Sequence, residues 1–432
     1  MLEQKFQTNL DLLLAEIISS KIAIAVSGGV DSTALLMLLS KWSRDKAVEI
    51  TVLTVDHNLR PESIDEARYV CNLSNNLGYQ CMTLSWDHQN NYSNLSARAR
   101  KGRYQLMTEF CLKQDILTLL VGHHQNDMIE NFLIREERKS GVLGLSSNSI
   151  NYYNNIRILR PLYNITKNEL VQYLKFSNIK WFEDISNQNT KYLRNKIRNN
   201  LSESSEDLNK KITQKLAEVD FRAKSINSDL IIAMAESATI YQYGLAVLDI
   251  TKFCSYCYEV KLRLIGLLLN IISGNRKLPR ADSIDMIIKL LTGQAEDFSK
   301  TLHGCCLKRT RLELLIFRGF GKIIPRSLEI KSQQKIKWDD RFSLEYHGDM
   351  KNLYVTHFSK EDFLEIKSQL DLDRIKKLIF CDYKNILFTL PVLKILEKVV
   401  ALPHISYYND HNFDDKIEIS FQPNFTSRFI HF

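Results

Sequence analysis

The sequence predicts an α/β protein that begins with a parallel sheet covered by helices on both faces. Short apolar runs alternate with helix-forming stretches through the first half of the chain, as in proteins built from repeated strand–helix units. A Gly-Gly pair separates the first apolar run from the helix that follows it. Beyond Pro325 the apolar runs become short and strand-like. We therefore expect a parallel-sheet α/β domain at 1–205, a mainly helical domain at 206–322 and a small α+β domain at 323–432.

The individual elements are predicted from apolar spacing. An amphipathic helix is expected at 2–18, where Phe6, Leu10 and Leu13 recur at helical intervals. Strands are expected at 22–26, 48–55, 80–86 and 116–121, and helices from 31 onward, at 64–77, at 95–112, from 124 onward and at 167–176. In the second half we expect a long helix at 208–238, a hairpin at 300–318 and strands at 335–338, 342–346 and 385–391.

The first predicted strand ends in a turn suited to binding phosphate. The residues of this turn are Ser27, Gly28, Gly29, Val30, Asp31 and Ser32. The glycines allow the backbone to turn sharply and to approach an anion, and the helix that begins here directs its N–H groups to the same place. A carboxylate beside phosphates is repulsive unless a cation lies between them, so Asp31 is predicted to bind Mg²⁺. A tight turn without any ligand is the alternative interpretation.

Polar residues also follow two later strands. Asp56 and His57 end the second strand, and because loops at the carboxyl ends of parallel strands meet in one crevice, both are expected beside the glycine turn. His123, Asp127 and Glu130 align on one helix face if the helix already includes His123. Such groups could hold a metal ion or orient a nucleophile. The alternative is that Asn126 and Asp127 merely cap the helix and Glu130 is a solvated charge.

Basic residues cluster at three places. Arg100 and Arg103 lie three residues apart on a predicted helix and therefore face alike. Arg138 begins a glycine-containing loop that could act as a lid. Residues 191–199 contain four cations and no acid, and such a cluster on one helix is what binding to a phosphate backbone requires. A solvated basic helix without a ligand is the alternative.

In chain order the motifs are SGGVDS, VDHNLRPES, ARARKGRY, GHHQNDMIEN, RKSGVLGL, RPL, WFEDISN and YLRNKIR. Together they resemble the motifs of bacterial tRNA(Ile)-lysidine synthetases, a family of PP-loop, N-type ATP pyrophosphatases. The resemblance covers about the first half of the chain. It implies that ATP adenylates the C2 oxygen of the wobble cytidine in an isoleucine tRNA with a CAU anticodon, and that the ε-amine of free L-lysine then displaces AMP. The product, lysidine, pairs with adenosine and changes the charging identity from methionine to isoleucine.

The resemblance also implies roles for individual residues. It implies that the catalytic residues are Asp31, His123, Asp127, Glu130 and Arg100. It implies that ATP is bound by residues 27–32 with Asp56 and His57, and that Mg²⁺ is bound by Asp31 and Asp127. It implies that tRNA is contacted by Arg103, Arg138, Arg194, Asn195 and Arg198.

Two positions depart from the family pattern. Where the family usually has H-x-x-D-D-Q-x-E-T, this chain has HHQNDMIEN. Asn126 thus replaces the first aspartate, and Asp127 is the acid expected to act. Where the family usually has R-G-S-G, Lys139 replaces the glycine, which keeps the charge and stiffens the turn.

Composition limits the possible classes of function. A net charge of +8 is compatible with a polyanionic partner, and 44% hydrophobic with 25% charged residues is typical of a globular protein. The N-terminus lacks the features of a signal peptide, and no apolar run is long and uncharged enough to span a bilayer. A cytoplasmic protein without a membrane partner is therefore expected. The sequence does not fix the oligomeric state, and a homodimer is one option.

Two alternative functions stay open. A tRNA thiolase of the same superfamily would need cysteines near the active site, whereas Cys71, Cys81 and Cys111 are single residues within predicted elements. A non-catalytic RNA-binding module would keep the fold without the ATP chemistry. The eight cysteines are expected to be reduced and partly buried, and the pair Cys254 and Cys257 is not expected to bind a metal.

Overall fold

The structure, a computed structural model, describes residues 1–15, 20–56, 62–86, 95–147, 149–183, 206–275, 277–293, 297–322, 327–409, 413 and 416–423. The chain divides into two compact units, Met1–Ser225 and Ile226–Phe429. The boundary between the units falls within one long helix, Glu206–Ser237. The three-domain division expected from the sequence stays a prediction.

The first unit alternates strands and helices. Its strands are β1 (Lys21–Ala25), β2 (Glu49–Asp56), β3 (Gln80–Ser85), β4 (Thr118–Leu120), β5 (Ile150–Tyr153) and β6 (Ile156–Leu159). Its helices are α1 (Leu2–Leu14), α2 (Val30–Trp42), α3 (Glu62–Asn76), α4 (Leu95–Lys113), α5 (Gln125–Glu137), α6 (Val142–Leu145) and α7 (Lys167–Phe176), and α8 (Glu206–Ser237) begins here. The strands and helices predicted for this region are confirmed with small shifts at their ends, except for the hairpin of β5 and β6, which was not predicted.

The strands of the first unit form one six-stranded sheet in the order β3-β2-β1-β4-β6-β5. Neighbouring strands are parallel except the edge strand β5, which is antiparallel to β6. The direction in which strands are added reverses between β1 and β4. In open sheets of this kind the crevice for a ligand lies at the carboxyl ends of the two strands that flank such a reversal. The loops after β1 and β4 are therefore brought together by the topology.

Successive residues of β1 are buried on opposite faces of the sheet. Ile22 and Ile24 belong to the core that includes Leu35 of α2, whereas Ala23 belongs to the core that includes Met107 of α4. Each isoleucine is fully buried, and full burial of such a side chain stabilises the fold by about 1.5–3 kcal/mol. Burial on both faces explains why β1 is an almost continuous apolar run.

The second unit contains antiparallel sheets and short helices. Its helices after α8 are α9 (Ile250–Ser255), α10 (Tyr258–Ser273), α11 (Ala281–Thr292), α12 (Lys360–Ile366), α13 (Leu372–Leu378) and α14 (Tyr383–Leu387). One five-stranded sheet has the order β7 (Ala238–Tyr241), β8 (Leu245–Asp249), β11 (Glu313–Arg318), β10 (Cys305–Arg309), β9 (Ser299–Leu302). The second has the order β12 (Leu328–Glu329), β15 (Leu353–His357), β16 (Pro391–Ile395), β17 (Lys398–Leu402), β18 (Tyr407–Tyr408). A three-stranded sheet has the order β13 (Lys335–Trp338), β14 (Phe342–Tyr346), β19 (Ile417–Phe421).

Two details of the second unit differ from the sequence prediction. The strand expected at 385–391 is wrong, because α14 continues to Leu387 and β16 begins only at Pro391. A short unbroken apolar run fits a buried helix as well as a buried strand, and periodicity cannot separate the two. Strands β7 and β8 were also missed, so the region expected to be mainly helical carries a sheet as well.

A buried charge network lies between β11 and β14. Asp339 accepts hydrogen bonds from two arginines: from Nη2 of Arg318 at 3.2 Å and from Nε of Arg341 at 2.7 Å. Arg341 is fully buried, and burial lowers its pKa to about 10 despite the neighbouring Asp339. His404 lies in the same region, with its ring 5.0 Å from that of Phe342. Burial and the positive charge of Arg341 together lower the pKa of His404 to about 4, and burial is the larger cause. The ring is therefore neutral at pH 7.

The expectation that every cysteine is reduced is wrong for one pair. Cys71 of α3 and Cys81 of β3 form a disulfide, with their Cα atoms 5.2 Å apart. This pairing depends on how α3 packs on the neighbouring strand, which a sequence pattern does not show. Among the helices in the described part of the chain, none combines the length and the apolar character needed to cross a bilayer.

Candidate active site

The loop after β1 is held in shape by Ser32. The Ser32 hydroxyl accepts a hydrogen bond from the backbone N–H of Ser27 at 3.1 Å and donates one to the carbonyl of Gly29 at 3.1 Å. Gly28 has a φ of +83°, a conformation that favours glycine. Gly29 is the N-cap of α2 and has no side chain to satisfy the N–H groups of the first turn. The turn therefore presents N–H donors and the positive end of the helix dipole to an anion.

The loop after β4 lies directly against this turn. A Cβ atom on Gly122 would lie 3.0 Å from the Ser32 nitrogen and 3.1 Å from the carbonyl carbon of Asp31. These are backbone atoms, which cannot rotate away. Only a glycine lets the two loops approach so closely, and this approach brings the residues after Gly122 to the start of α2.

Two carboxylates flank one buried histidine. Nε2 of His124 lies 3.6 Å from Oδ1 of Asp31 and 3.7 Å from Oδ2 of Asp127. Burial favours the neutral ring, but the two carboxylates outweigh it and raise the pKa of His124 above its ordinary value. Oδ1 of Asp31 is buried and accepts no hydrogen bond from any described residue. A buried carboxylate oxygen without a donor is suited to a cation, so Asp31 and Asp127 could hold a hard divalent ion between them.

His123 does not join this group. Helix α5 begins at Gln125 with His124 as its N-cap, so the condition under which His123 would share a face with Asp127 is not met. Nδ1 of His123 instead accepts a hydrogen bond from Nε of Arg160 at 3.1 Å. Arg160 follows β6, the strand next to β4, and was not among the residues to which the sequence analysis gave a role. A single sequence contains no pattern that shows which distant residue a histidine contacts.

The structure also shows the burial of Glu130 and the hydrogen bond of Asn126, both on α5. Glu130 is 1% exposed, so the alternative that it is a solvated charge is wrong. Asn126 accepts a hydrogen bond through Oδ1 from the backbone N–H of Lys167 at 3.1 Å, at the first turn of α7. The amide found in place of the usual aspartate therefore joins α5 to α7.

A group of arginines lies around Tyr104 and Arg160. Arg100 and Arg103 both lie against the Tyr104 ring, with guanidinium carbons 5.4 and 5.7 Å from its centroid, as expected of residues that face alike. Burial lowers the pKa of Arg160, and the charges of Arg100 and Arg135 lower it further, whereas Tyr104 and Asp127 raise it. These groups are therefore close enough to act on one another electrostatically.

The loop expected to be a lid is attached to α5 and α8. Arg135 donates hydrogen bonds through Nη1 to the carbonyls of Gly144 at 2.8 Å and Ser146 at 3.2 Å. The backbone N–H of Ser147 donates to Asp220 of α8 at 2.7 Å. Arg138 is exposed at the C-cap of α5, and Lys139 has a φ of +54°, a left-handed conformation in which glycine is favoured.

The remaining predicted residues are placed as follows. Asp56 ends β2 and accepts a hydrogen bond from the Ser63 hydroxyl at 2.6 Å. The backbone N–H of Phe182 donates to the carbonyl of Gly28 at 2.9 Å, so the WFEDISN motif begins beside the glycine turn. Some predicted residues lie outside the described part of the chain: His57, Arg194, Asn195 and Arg198. The structure thus brings Asp31 and Asp127 together and adds His124 and Arg160, which the sequence analysis had not assigned.

Comparison with known proteins identifies the family. A sequence profile of the PP-loop domain matches residues 2–205. The chain is 49% identical over 433 residues to a tRNA(Ile)-lysidine synthase of Rickettsia felis, and the match covers 100% of both chains. The chain belongs to the tRNA(Ile)-lysidine synthase family. Synthases of this family from Rickettsia bellii and Rickettsia typhi are 50% and 47% identical to it, again over 100% of each chain.

The tRNA(Ile)-lysidine synthase family assignment agrees with the parallel sheet and with the glycine turn after β1, where the PP-loop motif SGGVDS lies. Among solved structures, the U34-tRNA thiolase NcsA from Methanococcus maripaludis aligns with 50% of this chain and 78% of that chain, at 13% identity and a TM-score of 0.43.

Proposed function

We propose that this chain is an ATP-dependent ligase that joins free L-lysine to C2 of the wobble cytidine of a tRNA(Ile) with a CAU anticodon. The products are lysidine, AMP and pyrophosphate. The observation that carries the proposal is the full-length match to tRNA(Ile)-lysidine synthases, together with Asp31 and Asp127 flanking His124 beside the glycine turn. The chain uses ATP in this reaction, as the PP-loop domain indicates.

In the first step the cytidine C2 oxygen attacks the α-phosphorus of ATP and pyrophosphate leaves. The uncapped N–H groups at the start of α2 and the hydroxyl of Ser27 bind the phosphates of ATP, and Gly122 keeps the neighbouring loop close to them. Arg100 places positive charge near the crevice, where it stabilises the charge that develops on the phosphates. Asp56 lies at the end of the adjacent strand and helps to position the nucleotide.

Mg²⁺ is part of the proposal. The residues fit the ion, because Asp31 offers a buried oxygen without a hydrogen-bond donor among the described residues and Asp127 offers a second carboxylate. The ion would neutralise phosphate charge at this position. His124 lies between the two carboxylates, with Nε2 3.6 Å from Asp31 and 3.7 Å from Asp127.

In the second step the ε-amine of lysine attacks C2 and AMP leaves. The amine must first lose a proton, so a base is required close to C2. Asp127 and Glu130 lie three residues apart on α5, and the burial of Glu130 makes it suitable for positioning the lysine ammonium group. The residues proposed to contact tRNA are Arg103, Arg138, Arg194, Asn195 and Arg198. Residues 206–322 and 323–432 are proposed to select the correct tRNA. We place the reaction in the cytoplasm.

A thiolase reaction is not favoured by the cysteines of the first unit. Cys71 and Cys81 are bonded to each other, and Cys111 is buried, with a pKa raised by burial to about 12. A sulfur carrier requires a thiolate that a substrate can reach.

The test is incubation of the purified protein with ATP, Mg²⁺, radiolabelled lysine and unmodified tRNA(Ile) transcript. We expect label in the tRNA and one AMP released for each lysine incorporated. The matched control is a tRNA(Met) transcript, which should take up no label. Absence of AMP and of labelled tRNA(Ile), or transfer of sulfur in place of lysine, would refute the proposal.

A further inference from the structure

Arg160 is held rigidly against His123. Its Nε donates the 3.1 Å hydrogen bond to His123 Nδ1. When the Asn151 amide is oriented with its oxygen towards the guanidinium, that oxygen accepts from both Nη atoms of Arg160 at 2.9 Å. The backbone N–H of Arg160 also donates to the carbonyl of Ser149 at 2.9 Å. The guanidinium therefore has little freedom to turn away from the imidazole.

This contact fixes where His123 carries its proton. A guanidinium group has donors only, so the nitrogen that faces it must offer a lone pair. A doubly protonated imidazole has no lone pair and cannot make this contact. A neutral imidazole has one N–H, which must then be on Nε2. His123 can donate a hydrogen bond from Nε2, and it has no nitrogen left to accept a proton.

We propose that Arg160 is a positioning residue that holds His123 neutral with its proton on Nε2, so that His123 acts as a hydrogen-bond donor and not as the base for lysine. This inference rests on the proposed function. The lysine Nζ forms the bond to C2, the bond from C2 to the oxygen of AMP breaks, and the proton released from Nζ goes to a carboxylate, Asp127 or Glu130. The Nε2–H of His123 donates a hydrogen bond to an oxygen of the departing AMP phosphate, where negative charge develops, and the proton stays on Nε2.

The surroundings of His123 agree with a donor role. The charges that act on Arg160, the partner of His123, are those of Arg100, Arg135 and Asp127, so two of the three are positive. A positive environment opposes the uptake of a further proton by an imidazole and favours a bound phosphate.

The tautomer can be measured directly. In protein labelled with ¹⁵N-histidine, long-range ¹H–¹⁵N correlation spectra distinguish Nδ1–H, Nε2–H and doubly protonated rings, and His123→Gln identifies the His123 signals by their loss. We expect the Nε2–H form in the wild type between pH 6 and 8, and loss of that pattern in Arg160→Met. Arg135→Met is the control, because it removes a nearby charge whose hydrogen bonds go to the carbonyls of Gly144 and Ser146, and it should leave the pattern unchanged. An Nδ1–H or doubly protonated His123 in the wild type would overturn the inference.

Kinetics give a second readout. Arg160→Met should lower kcat by about 10- to 100-fold, as for other residues that orient a catalytic histidine, while the KM for lysine changes little. His123→Gln keeps an N–H donor and should lose less of kcat than His123→Ala, and the acidic limb of its pH profile should remain where it is in the wild type. If His123→Gln abolishes the acidic limb of the pH profile, His123 is the base and the inference is wrong. Melting temperatures show whether each variant is folded. The spectra are recorded without substrate, so they test this inference even if no lysidine is formed.

Discussion

Gly122 and Ser32 lie so close that a Cβ atom on Gly122 would be 3.0 Å from the Ser32 nitrogen. Gly122 belongs to the loop after β4, and Ser32 to the first turn of α2. The contact therefore sets the distance between the phosphate-binding turn and the residues that carry Asp127. Because both sides of the contact are backbone, an added methyl group can be accommodated only by moving the loops apart.

The first prediction concerns this contact. Gly122→Ala should destabilise the protein by about 1–3 kcal/mol through overpacking. It should also lower kcat/KM for ATP on the order of 10- to 100-fold, because small displacements of reacting groups are costly. Gly141→Ala is the matched control, since a Cβ there meets no atom within 4 Å and its φ is not positive. Steady-state kinetics and urea unfolding of both variants check the prediction. Equal stability and equal kcat/KM in the two variants would contradict it.

The carboxylates of the site should be needed for adenylation and not for holding tRNA. Asp31→Ala or Asp127→Ala should reduce AMP formation by at least about 100-fold, because each removes a charge aimed at the phosphates or the ion that neutralises them. The affinity for tRNA should stay nearly unchanged, because that affinity depends on phosphate contacts made by arginines. Filter binding and AMP release measured on the same preparations separate the two effects. A parallel loss of tRNA binding would show that these roles are wrongly assigned.

Asn126 should tolerate replacement by the aspartate that the family usually has. Its Oδ1 accepts from the Lys167 N–H at the start of α7, and a carboxylate can accept the same bond. A negative charge at a helix N-terminus stabilises by about 0.3–1 kcal/mol, so Asn126→Asp should raise stability slightly and keep activity. Asn126→Ala loses the bond and should lower stability by about 1 kcal/mol. Thermal unfolding distinguishes the aspartate variant from the alanine variant. Destabilisation by aspartate would show that another negative charge repels the new carboxylate.

The sequence predicted the parts of this molecule that depend on local pattern. Apolar periodicity located β1, α2 and α7, and the Gly-Gly pair located the phosphate-binding turn. It could not show which of the adjacent histidines contacts Asp127, because this depends on whether α5 begins before or after residue 124. The pairing of Arg160 with His123 and the disulfide of Cys71 and Cys81 depend on how separate elements pack, which single-sequence patterns do not carry.

The basic segment at 191–199 yields a prediction that rests on its sequence. Arg194→Ala combined with Arg198→Ala should weaken tRNA binding and reduce the slope of log affinity against log salt by about 1.4–1.8, since each phosphate contact contributes about 0.7–0.9. Titrations at several salt concentrations give the slope. Lys113→Ala serves as the control, because Lys113 lies at the C-terminal end of α4 and carries the same charge. An unchanged slope in the double variant would exclude these arginines as phosphate contacts.

His404 should make the second unit sensitive to acid. In the folded chain its pKa is lowered to about 4, whereas in the unfolded chain it has the ordinary value of about 6.5. Between these values the unfolded state binds a proton that the folded state excludes. The contribution of neutral His404 to the free energy of unfolding is therefore complete above about pH 6.5 and is lost as the pH falls towards 4. The loss amounts to about 2–3 kcal/mol. Urea unfolding of the wild type and of His404→Gln at pH 7.5 and pH 5 measures it. Glutamine does not titrate, so the variant should lose less stability on acidification than the wild type, and an equal loss in both would show that His404 is not the group responsible.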